Sequence, residues 1–286
     1  MVVWPPPRRP FPCPAGMATP RSLPLSPVSE ENASTRFSNR ESDAADMRAI
    51  QEFLDEAMIT EVLNVVKSGK EATVYRCRAH PSLGVPYAAA KCYHSAFHRS
   101  FQRGAIYEEG RVIGNGQVER AIKGRTEFGR EAQLALWVDH EFEVLSTLHY
   151  AGADVPEPFA CTDTAILMEL LGDDSAAADQ LQFAPVSPAD ADDLLDRILW
   201  NIELFMRENV VHADLSAFNI LYVEEKLTII DFPQAVDPRT NPSAPKLLER
   251  DLRNVLSYFA RHNVGLDEDP ATMARKLWGL WKYGEL

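Results

Sequence analysis

"VVHADLSAFNILY", Val210 to Tyr222, decides how this chain is read, because polar residues interrupt an otherwise apolar run. His212, Asp214, Ser216 and Asn219 lie inside it, and a second acid, Asp231, ends the next apolar run, "KLTIID". Burying an unpaired carboxylate is costly, so the strands must pair these acids or deliver them to a cleft. "NILYV" (Asn219 to Val223) and "KLTIID" (Lys226 to Asp231) flank Glu224-Glu225, which predicts a short hairpin. If Val223 pairs with Lys226, Asn219 falls opposite Ile230 and beside Asp231. An aspartate and an asparagine converging at one open end offer hard oxygen ligands, which suit Mg2+. A metal and phosphates at that mouth would neutralise the carboxylates.

His212-x-Asp214-x-x-x-x-Asn219 has the spacing of a kinase catalytic loop, where the aspartate meets the acceptor's proton and the asparagine holds metal. A pair of hairpin-edge turn residues would look the same for Asp214 and Asn219 alone. Asp231 in the predicted place weighs against that. His212 reads as a structural hydrogen-bonding residue, neither acid nor base. Upstream, Trp137, Val144, Leu145 and Leu148 form one helical face, and Glu141, four residues after Trp137, shares it. A glutamate on a core face needs a cation, and Lys91, at the end of the apolar stretch "PYAAAKCY", is the natural partner. Kinases use such a pair to aim lysine at nucleotide phosphates. A solvated Glu141 at the helix margin is the alternative.

Two further stretches bear on a nucleotide. In "SGKEATVY" (Ser68 to Tyr75), Gly69 and Lys70 precede a strand. This is neither G-x-G-x-x-G nor a Walker loop, and an ordinary turn would look the same, but it stands where a nucleotide-covering turn belongs. "LMELLGD" (Leu167 to Asp173) reads as an inter-lobe strand whose backbone meets adenine near Glu169 and Leu171. A buried strand ending in a turn fits equally well.

Composition sets the bounds. The 286 residues carry a net charge of −13, which argues against broad binding to nucleic acid or anionic membranes, and sequence-specific nucleic-acid binding is not expected. A patch from Arg99, Arg103, Arg111, Arg120 and Lys123 is the local exception. No apolar run nears the roughly 20 residues that span a bilayer. Four scattered cysteines without a C-x-x-C fit a reducing cytoplasm, and no structural metal is expected.

Residues 1–46 are rich in Pro, Ser and Arg and lack amphipathic period, so disorder is expected, and Met17 or Met47 are alternative starts. From Met47 the pattern predicts a helix over "MRAIQEFLDEAMITEVLNVV", two strands in "GKEATVYRCRA" and "PYAAAKCY", and helices over "EAQLALWVDHEFEVLSTLHYAG", "PADADDLLDRILWNIELFMREN" and "LLERDLRNVLSYFARH". Between Lys91 and Glu141 lie six of the 14 glycines, which suggests a mobile excursion. Strands dominate early and helices late, so the class is α+β with an N-terminal lobe over 47–170 and a C-terminal lobe over 171–286.

"GKEATVY", Lys91, "WVDHEF", "HADLSAFNIL" and "IIDFPQAV" together resemble the RIO-type atypical serine/threonine protein kinases, in order and approximate spacing. Ser216, where conventional kinases usually have lysine, and "IIDFPQ" in place of Asp-Phe-Gly are RIO-like. The resemblance implies a two-lobed protein-kinase-like fold with a reduced C-terminal lobe, binding ATP and Mg2+. It implies Asp214 as catalytic aspartate, Asn219 and Asp231 as metal ligands, Lys91 on the phosphates and Glu141 orienting it. It further implies autophosphorylation at Ser95, Ser100 or Thr126, with the chain itself or another protein as substrate. "DFPQ" resembles one branch and "GKEATVY" the other; the first branch begins with a winged-helix domain, for which the 46-residue Pro-rich tail is too short, so a prokaryotic-type member without that domain is expected. Competing expectations are an ATPase-type conformational switch on a ribosomal precursor particle, a small-molecule phosphotransferase of the aminoglycoside or choline kind, and a non-catalytic module.

Overall fold

The computed structural model describes residues 41–94, 116–124, 126–172, 176–265 and 267–286. Helix α1 (Glu41–Asp55) packs on a sheet made of β1 (Ile59–Ser68), β2 (Ala72–Ala79), β3 (Tyr87–Tyr93), β4 (Pro158–Cys161) and β5 (Ala165–Glu169). The strand order is β1-β2-β3-β5-β4, and every neighbouring pair is antiparallel. The helix starts ahead of Met47, and Asp46 is already buried, accepting a hydrogen bond from the Tyr75 hydroxyl at 3.0 Å.

The helix expected from Met47 through Val66 stops at Asp55. Ala57 turns the chain with a φ of 54°, and "ITEVLNVVKS" becomes β1. This is an edge strand in which only Ile59 is buried, and its register against β2 shifts three times. Packed only at its start, through Ile59 and Val62, the strand carries no sustained period-two signal. By contrast β3 lies between β2 and β5 and is covered on both faces. Its alternation puts Ala88, Ala90 and Cys92 against α1, and Lys91 and Tyr93 on the opposite side.

Within the glycine-studded region, α2 (Gly116–Lys123) is helical, while 95–115 lie outside the described residues. Helix α3 (Glu127–Tyr150) is capped by the Thr126 hydroxyl, which accepts from the Gly129 N–H at 3.0 Å, and Gly152, at a φ of 86°, follows its end. Its apolar face is divided. Leu134, Trp137 and Val138 pack with Tyr93 and Ile166, whereas Val144, Leu145 and Leu148 enter the core of the second half. Glu141 stands between the two cores.

The second half holds a small sheet of β6 (Asp179–Gln180), β7 (Ile220–Val223) and β8 (Lys226–Ile229), with helices α4 (Pro188–Arg207), α5 (Ala244–Phe259) and α6 (Pro270–Tyr283). Val223 pairs with Lys226 as the hairpin reading requires, and Glu224 and Glu225 turn it with φ values of 49° and 63°. Helix α6 is an addition to the expected elements, although Asp269 caps it, Pro270 opens it and Gly284 stops it, all readable signals.

One polar cluster ties the hairpin to the helical layer. Asp154 accepts from Arg197 at 2.5 and 2.8 Å and from the buried Asn201 side chain at 2.7 Å, while its carbonyl receives the Ile229 N–H at 2.8 Å. Asp154→Ala strands two donors, so urea unfolding is expected to show a loss of about 2–3 kcal/mol. An unchanged midpoint would show that the cluster contributes nothing.

Candidate active site

Between the two sheets opens a cleft of about 770 Å3, and Gly69, Lys70, Lys91, Glu141, Glu169, Leu171, Asn219 and Asp231 all line it. Asp214 is not among the lining residues; it is exposed beside Asn219 at the rim. The alternation of β3 aims Lys91 into the cleft, where its Nζ donates to Glu141 Oε1 at 2.8 Å and to Asp231 Oδ1 at 2.6 Å. Three donors converge on the buried Glu141 carboxylate: Lys91, the Tyr93 hydroxyl and the Phe232 N–H at 3.2 Å. The Glu141–Lys91 pair expected from the helix pattern is therefore present in the structure, and the solvated alternative is not. Burial alone would discharge Lys91, but the carboxylates of Asp231 and Glu141 hold its ammonium well above the ordinary lysine range. The converse holds for Asp231, where burial opposes ionisation and the Lys91 charge overcomes it, leaving the carboxyl below its usual range.

Asp231 has a φ of 74° and Ala213 one of 65°, left-handed positions for residues with a Cβ. Such geometry persists only where surroundings enforce it, and at Ala213 α5 does so. The buried carboxylate of Asp251 accepts from the Ala213 N–H at 2.7 Å and the Leu215 N–H at 3.0 Å. Arg250 donates to the Ala213 carbonyl, and Asn254 donates to the Leu215 carbonyl at 3.0 Å. These bonds brace the backbone on both sides of Asp214. Asn219 then folds over it, its amide nitrogen donating to the Asp214 carbonyl at 2.9 Å and Oδ2 at 3.4 Å. Partial desolvation raises the Asp214 carboxyl above its usual range, Asp231 adds to the rise, and Arg250 and Asn219 oppose it.

His212 plays the structural part expected of it. It is buried, its Nε2 meets the Ile230 carbonyl at 3.1 Å, its Nδ1 accepts from the Asp214 N–H at 3.3 Å, and its ring rests on Phe232 at 4.6 Å. At the other end of the cleft the Gly69 N–H closes the turn onto the Ala72 carbonyl at 2.9 Å. An added Cβ at Gly69 would make only ordinary contact, so the turn does not itself demand glycine. Glu169 ends β5 in pairing with Ala88, and the Leu171 carbonyl accepts the Ala178 N–H at 2.7 Å. Thr126 spends its hydroxyl on the α3 cap and on the Ala121 carbonyl, whereas Ser95 and Ser100 lie outside the described residues. Of the basic patch, Arg120 and Lys123 fall on α2, and the other three lie outside the described residues.

Sequence reasoning missed Tyr93, Arg250, Asp251 and Asn254. Asp251 had a signal: it stands between Leu247, Leu248, Leu252 and Val255 on the buried face of α5, as Glu141 does on α3. Tyr93 had none beyond its two-residue offset from Lys91.

Two buried titrations beneath the loop run in opposite senses. Burial holds His212 down to about 4, so folding opposes its protonation and stability falls as pH drops from the unfolded value near 6.5 toward 4. Burial pushes Asp251 up to about 7 despite its backbone donors, so stability falls as pH rises from about 4 to 7. Between pH 7 and 5 each contributes about 2 kcal/mol, and the two cancel. Urea denaturation should therefore show His212→Gln gaining stability relative to wild type on acidification, and Asp251→Asn losing it. Parallel pH profiles for all three proteins would sink this account.

The family model described as the RIO domain matches residues 73–271. The chain is 29% identical to the serine/threonine-protein kinase RIO1 of Chaetomium thermophilum over 75% of its own length and 42% of the relative's. It is 29% identical to the RIO-type kinase Rio1 of Haloferax volcanii over 79% of this chain and 73% of that one, and 29% identical to Rio2 of Methanocaldococcus jannaschii over 78% and 77%. The chain thus spans less than half of the fungal relative. Among solved structures, the Rio2 kinase–ADP/Mg2+–phosphoaspartate complex from Chaetomium thermophilum superposes with a TM-score of 0.61 at 20% identity, covering 82% of this chain and 66% of that one. That likeness gives the fold, the two-lobed kinase architecture expected from the sequence. On the family match over most of its length, a span that contains Lys91, Glu141, Asp214, Asn219 and Asp231, this chain belongs to the RIO domain family.

Proposed function

We propose that the chain is an ATP- and Mg2+-dependent serine/threonine protein kinase of the RIO type, working on a protein or on itself in the cytoplasm. The observation that carries this is Lys91 spanning Glu141 and Asp231 in one cleft, with Asn219 on its lining and Asp214 at its rim. Lys91 would hold phosphate oxygens while Glu141 fixes its position, and Gly69, Lys70, Glu169 and Leu171 would surround the nucleotide. Asn219 and Asp231 would hold Mg2+. Among the described residues no cluster of three or more His, Cys, Asp or Glu could hold a metal. Two oxygen ligands completed by phosphate and water is the mode Mg2+ favours, and Asn219, whose amide nitrogen is turned to Asp214, has its oxygen to offer. Bound Mg2+ supplies charge neutralisation at the phosphates.

Asp214 would orient the acceptor hydroxyl and take its proton as that oxygen bonds to the γ-phosphorus and the bond to the ADP oxygen breaks. A raised carboxyl suits that part. His212, held down to about 4, is neutral at pH 7 and takes no proton there. Thr126 would have to surrender a helix cap to be phosphorylated, which favours other acceptors.

A second reading is an ATPase switch on a ribosomal precursor particle. The phosphoaspartate in the related Rio2 complex supports it, since Asp231 presents a carboxylate, 38% exposed, in the corresponding kind of cleft.

Incubation with γ-labelled ATP and Mg2+ tests both. Acid-stable label on serine or threonine, reduced at least about a hundredfold in Asp214→Asn and Lys91→Met, is the expected result. A hydroxylamine-labile label lost in Asp231→Asn would favour the switch. Label in wild type that survives both Asp214→Asn and Asp231→Asn would overturn the assignment of these residues.

A further inference from the structure

Beside the rim two large rings stand in solvent. Phe218 immediately precedes Asn219 and is 50% exposed, and Phe183, which lines the cleft mouth, is 69% exposed. They meet edge-to-face, centroids 5.8 Å apart. The backbone holds them there. Gln180 donates from its side chain to the Phe218 carbonyl, the Gln182 N–H bonds to the Ala217 carbonyl at 3.0 Å, and the Phe183 N–H bonds to the Gln180 carbonyl at 2.8 Å. The Tyr258 hydroxyl fixes the same segment through the Leu181 carbonyl at 2.8 Å. An aromatic pair fixed so firmly yet left wet is an unused contact surface rather than a fraying loop.

We propose that Phe183 and Phe218 form a docking step for the phosphoacceptor polypeptide, taking a large apolar side chain next to the acceptor serine or threonine. The inference rests on the kinase reading above and names the substrate class for that site. Three observations converge. Phe183 lines the cleft together with Asn219, and Phe218 directly precedes Asn219, whose side chain bonds Asp214, so the step lies beside the place where an acceptor hydroxyl would meet Asp214. Its chemistry is apolar and aromatic, which suits a bulky apolar side chain. The protein's net charge of −13 draws acceptors that carry arginine. A stretch of this chain has that chemistry: "TRFSNR", Thr35 to Arg40, sets Ser38 beside Phe37 between two arginines.

The test uses the full chain with Mg2+-ATP and two synthetic peptides spanning residues 33–43, one natural and one with Phe37→Ala. The readout is the ratio of kcat/KM for the two, so a variant that merely turns over more slowly does not shift it. A preference of about tenfold for the phenylalanine peptide is expected of wild type. It should fall toward one in Phe183→Ser and in Phe218→Ser, and return in Phe218→Leu. A wild-type ratio near one, or a preference that survives both serine variants, overturns the docking step while leaving phosphotransfer intact. Absence of any transfer to peptide or chain together with absence of ATP hydrolysis overturns the kinase reading itself, and the docking step with it.

Discussion

A single buried carboxylate organises this molecule. Glu141 has 1% of its side chain exposed, and a charge so placed is tolerable only with donors around it. Its three donors come from two distant places in the chain: Lys91 and Tyr93 on β3, and the Phe232 N–H immediately after Asp231. Satisfying one acid therefore ties the first sheet, the long helix and the segment after the small hairpin together at one point. Because α3 packs its first half against one core and its second half against another, that point lies where both meet.

The same requirement explains the state of Lys91. Held between two carboxylates, it stays charged despite burial and bridges Asp231 at 2.6 Å. A metal on Asp231 and a phosphate on Lys91 would each supply the charge that the other residue now provides. Lys91 and its two carboxylates together carry one net negative charge, which suits a bound cation at Asp231.

Beneath the loop, Asp251 repeats the device with backbone donors. Two backbone N–H groups define its position, and through them the path of the chain around Asp214. Arg250 and Asn254 on the same helix brace the carbonyls of the same two residues. Precision at an exposed aspartate is built from polar atoms one layer below it.

Much of this was written in the linear chain. The hairpin, its register and the meeting of Asn219 with Asp231 follow from strand alternation around a two-residue turn, a local matter. The Glu141–Lys91 pair was legible too, since an acid on an apolar helical face has few physical options. Strand β1 was not, because an edge strand packed only at its start lacks the sustained periodicity that burial imposes. The division of α3 between two cores, the bracing by Asp251, Arg250 and Asn254, and the pairing of Phe183 with Phe218 lay equally out of reach. Each depends on segments far apart in sequence arriving at one place, and residue spacing encodes which face of an element is buried but not what it is buried against.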